Sequence, residues 1–305
     1  MNKFKFTVLT ALLAFSSVFA ACGKQTETNE PTVKYFVDGK EQTSAPDRNM
    51  YEAVSIESNS KDANIAWNSS SWELEMSNIK GNEKINVYFE YQKHPVTVDG
   101  IGFDDLQSAF NYIGSETGAK RVYLTADVNG AGTTAVGSDI SIEMNGFTID
   151  GCGKDTIINN GKMAIYGAGT ITNSTDGEYS KSIVNYGELT LQGVTVTNST
   201  SSVCVWNSSN GSSTLIVKDS YISHSASGSI ALINSGNMEL VSGSVTGCGD
   251  AFHPALYNND SSAVLTLTGG SVDNTSEGYA IYNDGGTIVL GGATYGESYN
   301  MPSAE

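Results

Sequence analysis

Four residues in the C-terminal half of the chain carry side chains that are suited to acid–base chemistry. Asp250 and His253 lie in residues 249–254, a stretch unlike the sequence on either side of it. A carboxylate beside an imidazole can take up and release a proton near neutral pH. Lys218 and Asp219 form a second pair of charges. We interpret residues 249–254 as a turn with incidental polar side chains and keep the acid–base group as the alternative.

Three aromatic residues suggest a different kind of site, because each stands at the same point of a short recurring pattern. Trp206, Tyr257 and Tyr282 each follow an aliphatic residue and precede an asparagine. Aromatic rings on an exposed sheet can stack on sugar rings or on a protein partner. We therefore predict an outward ridge of rings that binds a glycan or a cell-surface protein. The alternative is that a loop or the next turn covers this ridge.

The pattern around these rings is an internal repeat, and it determines the predicted fold. Its phrase is a small residue, an aliphatic residue, a bulky residue and an asparagine. Successive asparagines are separated by 26, 22, 27, 24 and 25 residues. They are Asn159, Asn185, Asn207, Asn234, Asn258 and Asn283. A second phrase of alternating apolar residues, as in residues 189–196, lies between them.

A period of this length predicts a parallel β-helix. Each unit holds strand-like segments of three to five residues between glycine, asparagine and serine turns, and no unit has a helical pattern. One unit cannot bury its apolar side alone, so successive coils must stack at ~4.8 Å. Residues 138–298 supply about seven coils. A leucine-rich repeat would need helices, and a β-propeller would need antiparallel blades of ~40 residues.

The asparagine column has a structural interpretation. In stacked strands, asparagine amides at equivalent positions hydrogen-bond to those above and below and form a ladder. We predict that the six repeat asparagines form such a ladder at a corner of the coil. The aliphatic residue of each phrase then points into the core, and the bulky residue after it points outward.

A capping helix is predicted before the repeats, over residues 99–114. Its apolar residues have helical spacing and are Phe103, Leu106, Phe110 and Ile113. A short helix at this point would cover the open edge of the first coil. With such a helix before its repeats, the chain resembles the pectate-lyase-like right-handed β-helix superfamily over residues 96–298. The predicted fold class is all-β, with a right-handed parallel β-helix at residues 95–298 after a small antiparallel domain.

The resemblance implies two kinds of function. The superfamily contains lyases and glycosidases, but also non-catalytic surface proteins, and gut-bacterial adhesin-like proteins have similar repeats. A pectate lyase needs a Lys or Arg base, yet residues 122–305 have no Arg, and their four Lys fall at different repeat positions. The Gly-His-Gly of polygalacturonases is absent too. We predict a non-enzymatic display or binding surface, with a polysaccharide lyase or glycoside hydrolase as the alternative.

The repeat register also restricts the cysteines. Cys152 and Cys248 share one repeat position four coils apart, roughly 19 Å by the coil rise, and Cys204 is two coils from each. A disulfide needs Cα atoms within about 7 Å, so we expect three free thiols. Dispersed thiols do not make a zinc site, and we predict no metal and no cofactor. His224 falls at an asparagine position and is interpreted as structural.

The N-terminus indicates export. Two lysines within residues 1–5 precede the mostly apolar residues 6–18, a run too short to span a membrane as a mature helix. The stretch around Cys22 resembles the lipobox of bacterial lipoproteins, although Phe19 stands where that family usually has Leu. The resemblance implies that residues 1–21 are a signal peptide and that Cys22 carries lipid. The alternative is an ordinary signal peptide with Cys22 as a plain thiol.

A tether and a small domain separate the predicted anchor from the repeats. Residues 22–32 are polar, and residues 33–94 alternate with period 2 in four places, which indicates half-buried antiparallel strands. The run that contains Trp67 and Trp72 resembles short β modules of Gram-positive surface proteins. We predict a β-sandwich-like spacer at residues 33–94 and a short tail at residues 299–305.

The charge of the chain limits its partners. It has 16 Lys plus Arg against 33 Asp plus Glu, a net charge of −17. Nucleic-acid binding depends on Lys and Arg at phosphates, so nucleic acid is excluded as a partner, and polyanionic substrates fit poorly. The expected partners are membrane lipid through Cys22 and a glycan or a host or cell-surface protein. The expected location is the bacterial cell membrane, facing the cell surface.

Overall fold

The chain folds into two compact units, which divide after residue 93. The computed structural model describes residues 30–37, 39–46, 51–68, 71–91, 94–175, 179–200, 202–208, 213–250 and 252–302. The predicted signal peptide, Cys22 and the tether as far as residue 29 lie outside the described residues. No helix in the described part is long and apolar enough to cross a membrane.

The first unit consists of short strands in two sheets. They are β1 (Thr32–Val37), β2 (Lys40–Gln42), β3 (Tyr51–Ser58), β4 (Asn64–Asn68), β5 (Glu73–Ser77) and β6 (Lys84–Tyr91). One sheet has the order β2-β1-β6-β3, and β4 pairs with β5 as a hairpin. The pairs β1–β2, β3–β6 and β4–β5 are antiparallel, as predicted, whereas β1 and β6 are parallel. The intervening strands provide the long crossover that parallel pairing requires.

Aromatic side chains fill the space between these two sheets. Trp67 contacts Trp72, Phe89 and Tyr35 edge to face, with ring centroids 5.1, 5.1 and 6.5 Å apart. The Trp72 indole N–H donates to the Pro46 carbonyl oxygen at 2.9 Å. Large rings bury much apolar area per residue, which is how a unit of this size forms a core.

The second unit begins with a hairpin and a helix: β7 (Val96–Val98), β8 (Ile101–Phe103) and α1 (Leu106–Gly114). The helix predicted from residue 99 therefore begins later. Asp99 and Gly100 form the hairpin turn instead, with φ of 50° and 87°. Two-residue hairpin turns favour Asp-Gly because both positions need positive φ. Asp105 caps α1, since its carboxylate accepts the Ser108 N–H at 2.6 Å.

Helix α1 covers the start of the β-helix, as predicted. Its buried residues belong to the same hydrophobic core as the first coils, and they are Leu106, Ala109, Phe110 and Ile113. At Gly132 the helix lies so close to the first coil that a Cβ atom would be 2.7 Å from the Phe110 ring. Glycine at this position permits the contact.

The rest of the chain forms a parallel β-solenoid of about six turns, close to the seven predicted. Its strands succeed one another in triplets, with one strand of each triplet on each of three faces. They are β9 (Lys120–Leu124), β10 (Val128–Asn129), β11 (Gly132–Thr133), β12 (Asp139–Glu143), β13 (Thr148–Asp150), β14 (Ile157–Asn159), β15 (Lys162–Tyr166), β16 (Thr170–Thr172), β17 (Ile183–Asn185), β18 (Glu188–Gln192), β19 (Thr195–Asn198), β20 (Val205–Asn207), β21 (Thr214–Lys218), β22 (Ser220–His224), β23 (Leu232–Asn234), β24 (Asn237–Leu240), β25 (Gly243–Gly247), β26 (Leu256–Asn258), β27 (Val264–Leu267), β28 (Ser271–Asn274), β29 (Ile281–Asn283), β30 (Thr287–Leu290), β31 (Thr294–Tyr295) and β32 (Ser298–Tyr299).

Three parallel sheets form the faces of the β-helix. Face 1 contains β9 and every third strand to β30, face 2 runs from β10 to β31, and face 3 runs from β11 to β32. The strands stack in register, so that Asn185 pairs with Asn159 on one side and Asn207 on the other. The last strand of face 3 includes Tyr299, which the sequence assigned to a tail.

Columns of aliphatic side chains fill the interior. The column from face 3 is fully buried and consists of Ile157, Ile183, Val205, Leu232, Leu256 and Ile281. Faces 1 and 2 contribute further columns to the same core. Burial of one such side chain contributes about 1.5–3 kcal/mol of transfer free energy. The inward aliphatic column predicted from the repeat is therefore confirmed.

The six repeat asparagines form the predicted ladder at the end of face 3. Each side-chain Nδ2 donates to the Oδ1 of the next asparagine at 2.8 Å, from Asn159 to Asn283. The same amides donate to backbone carbonyls, as from Asn207 to the Asn237 carbonyl oxygen at 3.0 Å. All six residues are buried. The ladder thus joins the coils and closes the turn toward face 1.

Removing one amide from the middle of the ladder should destabilise the β-helix strongly. Asn234→Leu leaves the Asn207 Nδ2 donor and the Asn258 Oδ1 acceptor without their partner in the core. We expect the free energy of unfolding to fall by about 2–4 kcal/mol, since each buried unpaired group costs about 1–3 kcal/mol. Chemical denaturation followed by circular dichroism measures this change. The control is Asn259→Leu at an exposed position; equal losses in both variants would contradict the ladder.

Candidate functional site

Asp250 and His253 contact each other within the loop between β25 and β26. The Asp250 Oδ1 lies 2.6 Å from His253 Nδ1 and also accepts the Phe252 N–H at 2.9 Å. The two side chains are 55% and 40% exposed. The Phe252 N–H, and after it the His253 ring, lower the pKa of the Asp250 carboxyl. An ionised Asp250 therefore braces the turn and holds the imidazole at the same time.

These contacts have the geometry of an Asx turn, in which an aspartate oxygen accepts the backbone N–H two residues on. Gly228, from the preceding coil, lies close to this pair, since a Cβ there would lie 3.9 Å from both Asp250 Oδ2 and His253 Nδ1. The interpretation as a polar turn accounts for the hydrogen bonds that the Asp250 side chain makes to Phe252 and His253. Acid–base chemistry would require a substrate to reach His253 Nε2 from the solvent side.

Lys218 and Asp219 lie at the opposite edge of face 2. Lys218 ends β21, and Asp219 follows it in the turn, where its Oδ1 accepts the Ser242 hydroxyl at 2.7 Å. The Asp219 N–H donates to the same hydroxyl oxygen at 2.8 Å, so Asp219 and Ser242 link two neighbouring coils. A strand of five residues, roughly 16 Å long, separates this turn from the loop of Asp250. The four candidate catalytic residues therefore form two separate pairs.

His224 occupies an asparagine position, as predicted, and pairs with Asn198 in the register of face 2. Its ring is buried, at 3% exposure. Nε2 contacts the Ser202 carbonyl oxygen, and Nδ1 accepts the Ala226 N–H at 3.1 Å. Because Nδ1 accepts a hydrogen bond, these partners suit the neutral ring, and burial lowers the pKa of His224.

The described cysteines are free thiols. Cys152 is exposed, Cys204 is buried and Cys248 is partly buried. Burial raises the pKa of the Cys204 thiol well above its usual value, and its Sγ lies 3.0 Å from the Ser223 carbonyl oxygen. Within the described part of the chain, no three His, Cys, Asp or Glu side chains are grouped so that they could hold a metal ion.

The predicted aromatic ridge consists of two groups of half-buried rings. The register confirms that Trp206, Tyr257 and Tyr282 share one column of face 3, with Ile233 between Trp206 and Tyr257. Val184, the next member of the column, is buried at 1% exposure. The three predicted rings are therefore partly exposed, and the column is interrupted by the buried Val184.

Four tyrosines form the group at the C-terminal end of face 3, which we call the tyrosine cluster: Tyr257, Tyr279, Tyr282 and Tyr299. Tyr282 lies at its centre, with ring centroids 5.5 Å from Tyr257, 6.2 Å from Tyr279 and 4.7 Å from Tyr299. Tyr257 meets Tyr282 at 81°, whereas Tyr299 stacks on it at 13°. Tyr299 is 47% exposed. The cluster presents rings that can contact sugars or apolar side chains.

A carboxylate lies at the edge of the tyrosine cluster. The Tyr257 hydroxyl donates to Asp284 Oδ2 at 3.1 Å. Burial, and after it the hydrogen bond to Asp284, raise the pKa of Tyr257. This hydroxyl therefore keeps its proton and fixes the orientation of the ring.

Trp206 belongs to a second, separate aromatic group. Its ring lies 6.3 Å from Tyr186, edge to face, and the Lys181 Nζ lies 5.5 Å from its centroid. Lys181 also donates to the Tyr179 carbonyl oxygen at 3.0 Å. The ammonium over the Trp206 ring is a cation–π contact. Lys181 therefore already covers part of the ring face that a ligand would need.

Sequence reasoning missed two members of the tyrosine cluster, Tyr279 and Tyr299. Tyr279 precedes the repeated phrase, and its position depends on the preceding turn. Tyr299 stands in a two-residue strand, which is too short for alternation to reveal. Continuing the repeat by one more coil would have identified Tyr299, because Tyr299 pairs with Tyr282 in register.

Comparison with known proteins identifies no relative. No family model matches the chain, and neither a curated protein nor a solved structure matches it. The fold of the second unit as a parallel β-helix therefore rests on the structure itself.

The buried His224 predicts a loss of stability in acid. Its folded-state pKa lies below the ordinary value of 6.5, so the unfolded chain takes up the proton first as the pH falls. The stabilisation from neutral His224 is complete above about pH 6.5 and declines from there toward the folded-state pKa. His224→Asn, which matches Asn198, should reduce this decline in thermal unfolding. His253→Asn is the exposed control, and an unchanged decline in His224→Asn would contradict the prediction.

Proposed function

We propose that this protein is a bacterial cell-surface lipoprotein whose β-helix presents a non-enzymatic binding surface for a glycan or a cell-surface protein. The observation that carries this proposal is the tyrosine cluster on the outer side of face 3. The alternative is a polysaccharide lyase or glycoside hydrolase that acts on a surface or host glycan.

The lipid anchor is supported by the sequence of the N-terminus. A short apolar run, two alanines and then Cys22 precede a polar stretch that can serve as a tether. A lipid on Cys22 would hold the protein at the membrane while the first unit acts as a spacer. The β-helix would then stand away from the lipid surface with its faces open to large ligands.

The tyrosine cluster suits binding because its rings are held in place before any ligand arrives. Tyr282 is packed between Tyr257 and Tyr299, so little side-chain freedom remains to be lost on binding. Aromatic contacts contribute about 0.5–1.5 kcal/mol each, which makes a single cluster a weak site. Many copies anchored on one cell can still adhere firmly, because multivalency raises the effective affinity.

Charge favours an uncharged or cationic ligand over a polyanionic one. Residues 122–305 have four Lys, no Arg and 17 Asp plus Glu, which gives a net charge of −13. Asp284 adds a carboxylate next to Tyr257. An acidic surface repels anionic ligands over distances of about a Debye length.

The enzymatic alternative is favoured by one observation, the close contact of Asp250 and His253. Both side chains are accessible and could exchange protons with a bound substrate. A second catalytic group would have to lie within reach of the same substrate atoms. The other candidates, Lys218 and Asp219, lie at the far edge of face 2, so this alternative ranks below binding.

The anchor is tested by Cys22→Ala. Because one residue would carry the lipid, the variant should lose labelling by a fatty-acid probe and move from the membrane fraction to the medium. Metabolic labelling and fractionation of cells measure both changes. The control is Cys152→Ala, which removes an exposed cysteine and should leave fatty-acid labelling and membrane partitioning unchanged. A Cys22→Ala protein that still labels and partitions with membranes would refute the lipoprotein assignment.

The binding surface is tested by Tyr257→Ser combined with Tyr282→Ser. Loss of the two central rings should reduce binding of the full-length protein to glycan arrays and to cell surfaces at least tenfold. Tyr257→Phe with Tyr282→Phe keeps the rings and should retain binding to sugars. Circular dichroism checks that the β-helix persists, since outward rings contribute little to the core.

Two further measurements separate the possible outcomes. If the double serine variant unfolds, Tyr299→Ser removes only the most exposed ring and should still weaken binding; full binding by that variant would exclude the cluster as the site. A reducing-end assay on the same glycans tests catalysis. If the protein releases reducing ends and His253→Ala abolishes this release, the function is hydrolysis or elimination rather than binding.

A further inference from the structure

Face 2 carries an exposed tyrosine that is not part of the aromatic column of face 3. Tyr221 lies near the middle of β22 and is 58% exposed, while Ile222 beside it is fully buried. Within the described residues Tyr221 has no hydrogen bond and no ring partner. Both the tyrosine cluster and Trp206 lack this freedom, because neighbouring rings or an ammonium group already contact them.

Hydroxyl side chains surround Tyr221 on the same face. Thr195 and Ser244 lie beside it in register on the neighbouring strands, at the ~4.8 Å strand spacing. Two residues further along the strand, Ser223 lies between Thr197 and Thr246. The array continues into the preceding coil, where Thr197 donates to the Thr172 hydroxyl oxygen at 3.0 Å.

Four of these hydroxyl groups remain available for a ligand. Within the described residues, the side chains of Thr195, Ser223, Ser244 and Thr246 make no hydrogen bond, and each residue is partly exposed. On the inward side of the same strands, Val196, Ile222 and Val245 belong to the hydrophobic core. Face 2 therefore combines one free aromatic ring with several free donors and acceptors on a parallel sheet.

The array around Tyr221 carries no charge, which is unusual in so acidic a chain. Within the described residues, the same two columns contain carboxylates only at Asp150, three coils before Ser223, and at Asp273, the register neighbour of Thr246. Asp150 is occupied by the Cys152 and Ser174 N–H groups. An uncharged ligand that offers both an apolar face and many hydroxyl groups matches this surface.

We propose that face 2 is a second binding site, centred on Tyr221, for an uncharged pyranose glycan that lies along the axis of the β-helix. One sugar ring stacks on the Tyr221 ring, because the C–H face of a pyranose is apolar. Its hydroxyl groups exchange hydrogen bonds with Thr195, Ser223 and Thr246. The site does not depend on the tyrosine cluster, since the two lie on different faces.

The test uses full-length protein in detergent and short β-1,4-linked oligosaccharides of glucose, mannose and N-acetylglucosamine. Oligogalacturonate is the anionic comparison, and saturation-transfer NMR titration gives the dissociation constants. We expect millimolar affinity for at least one uncharged oligosaccharide, which Tyr221→Ser weakens about fivefold or more. Tyr221→Phe should bind within twofold of the unchanged protein, and Thr246→Val should weaken binding about threefold.

Matched variants make the result specific to face 2. Tyr179→Ser removes a tyrosine that is 73% exposed on a turn and should leave binding unchanged. The double serine variant at Tyr257 and Tyr282 should also retain the Tyr221-dependent binding, which separates this site from the tyrosine cluster. Unchanged affinity in Tyr221→Ser, preferential binding of oligogalacturonate, or no binding of any uncharged oligosaccharide would each overturn the proposal.

Discussion

The buried asparagine ladder is the constraint on which the β-helix depends. Each side-chain amide is removed from water and must find its partners in the coils above and below, because a buried unpaired polar group costs about 1–3 kcal/mol. The six amides meet this requirement at 2.8 Å for every step, although the steps differ in length from 22 to 27 residues. Variation in length is therefore confined to loops, such as the one that contains Asp250.

Because of this constraint, inward and outward side chains of the β-helix strands have different roles. Most inward positions are aliphatic or belong to the ladder, with a few other buried polar residues such as Asn198 and His224, and a change there affects the packing of the neighbouring coils. Outward positions are free to vary without loss of register, so Tyr221 on face 2 and the tyrosines on face 3 can carry function. Stability thus depends on the inward side of the strands, and both proposed binding sites lie on the outward side, as is common for a solenoid with extended surfaces.

The sequence predicted well what repeats and poorly what does not. Periodicity located the β-helix, the ladder and the inward aliphatic column, because the same backbone geometry recurs in each coil. It placed the start of α1 too early, since the apolar spacing overlapped a hairpin whose Asp99-Gly100 turn has positive φ. It also overstated the exposure of Tyr257 and Tyr282. Ring orientations depend on contacts with Tyr279, which precedes the repeated phrase, and with Tyr299, which belongs to one further coil.

The same geometry explains why the candidate catalytic residues stay apart while the rings meet. In a β-helix, residues come together when they occupy one repeat position on adjacent coils, ~4.8 Å apart. Tyr257 and Tyr282 satisfy this condition, and their rings are in contact. Lys218 and His253 lie at opposite edges of face 2, separated by the length of a strand. A rigid sheet cannot close that distance, which is why we propose binding along a face rather than catalysis by these groups.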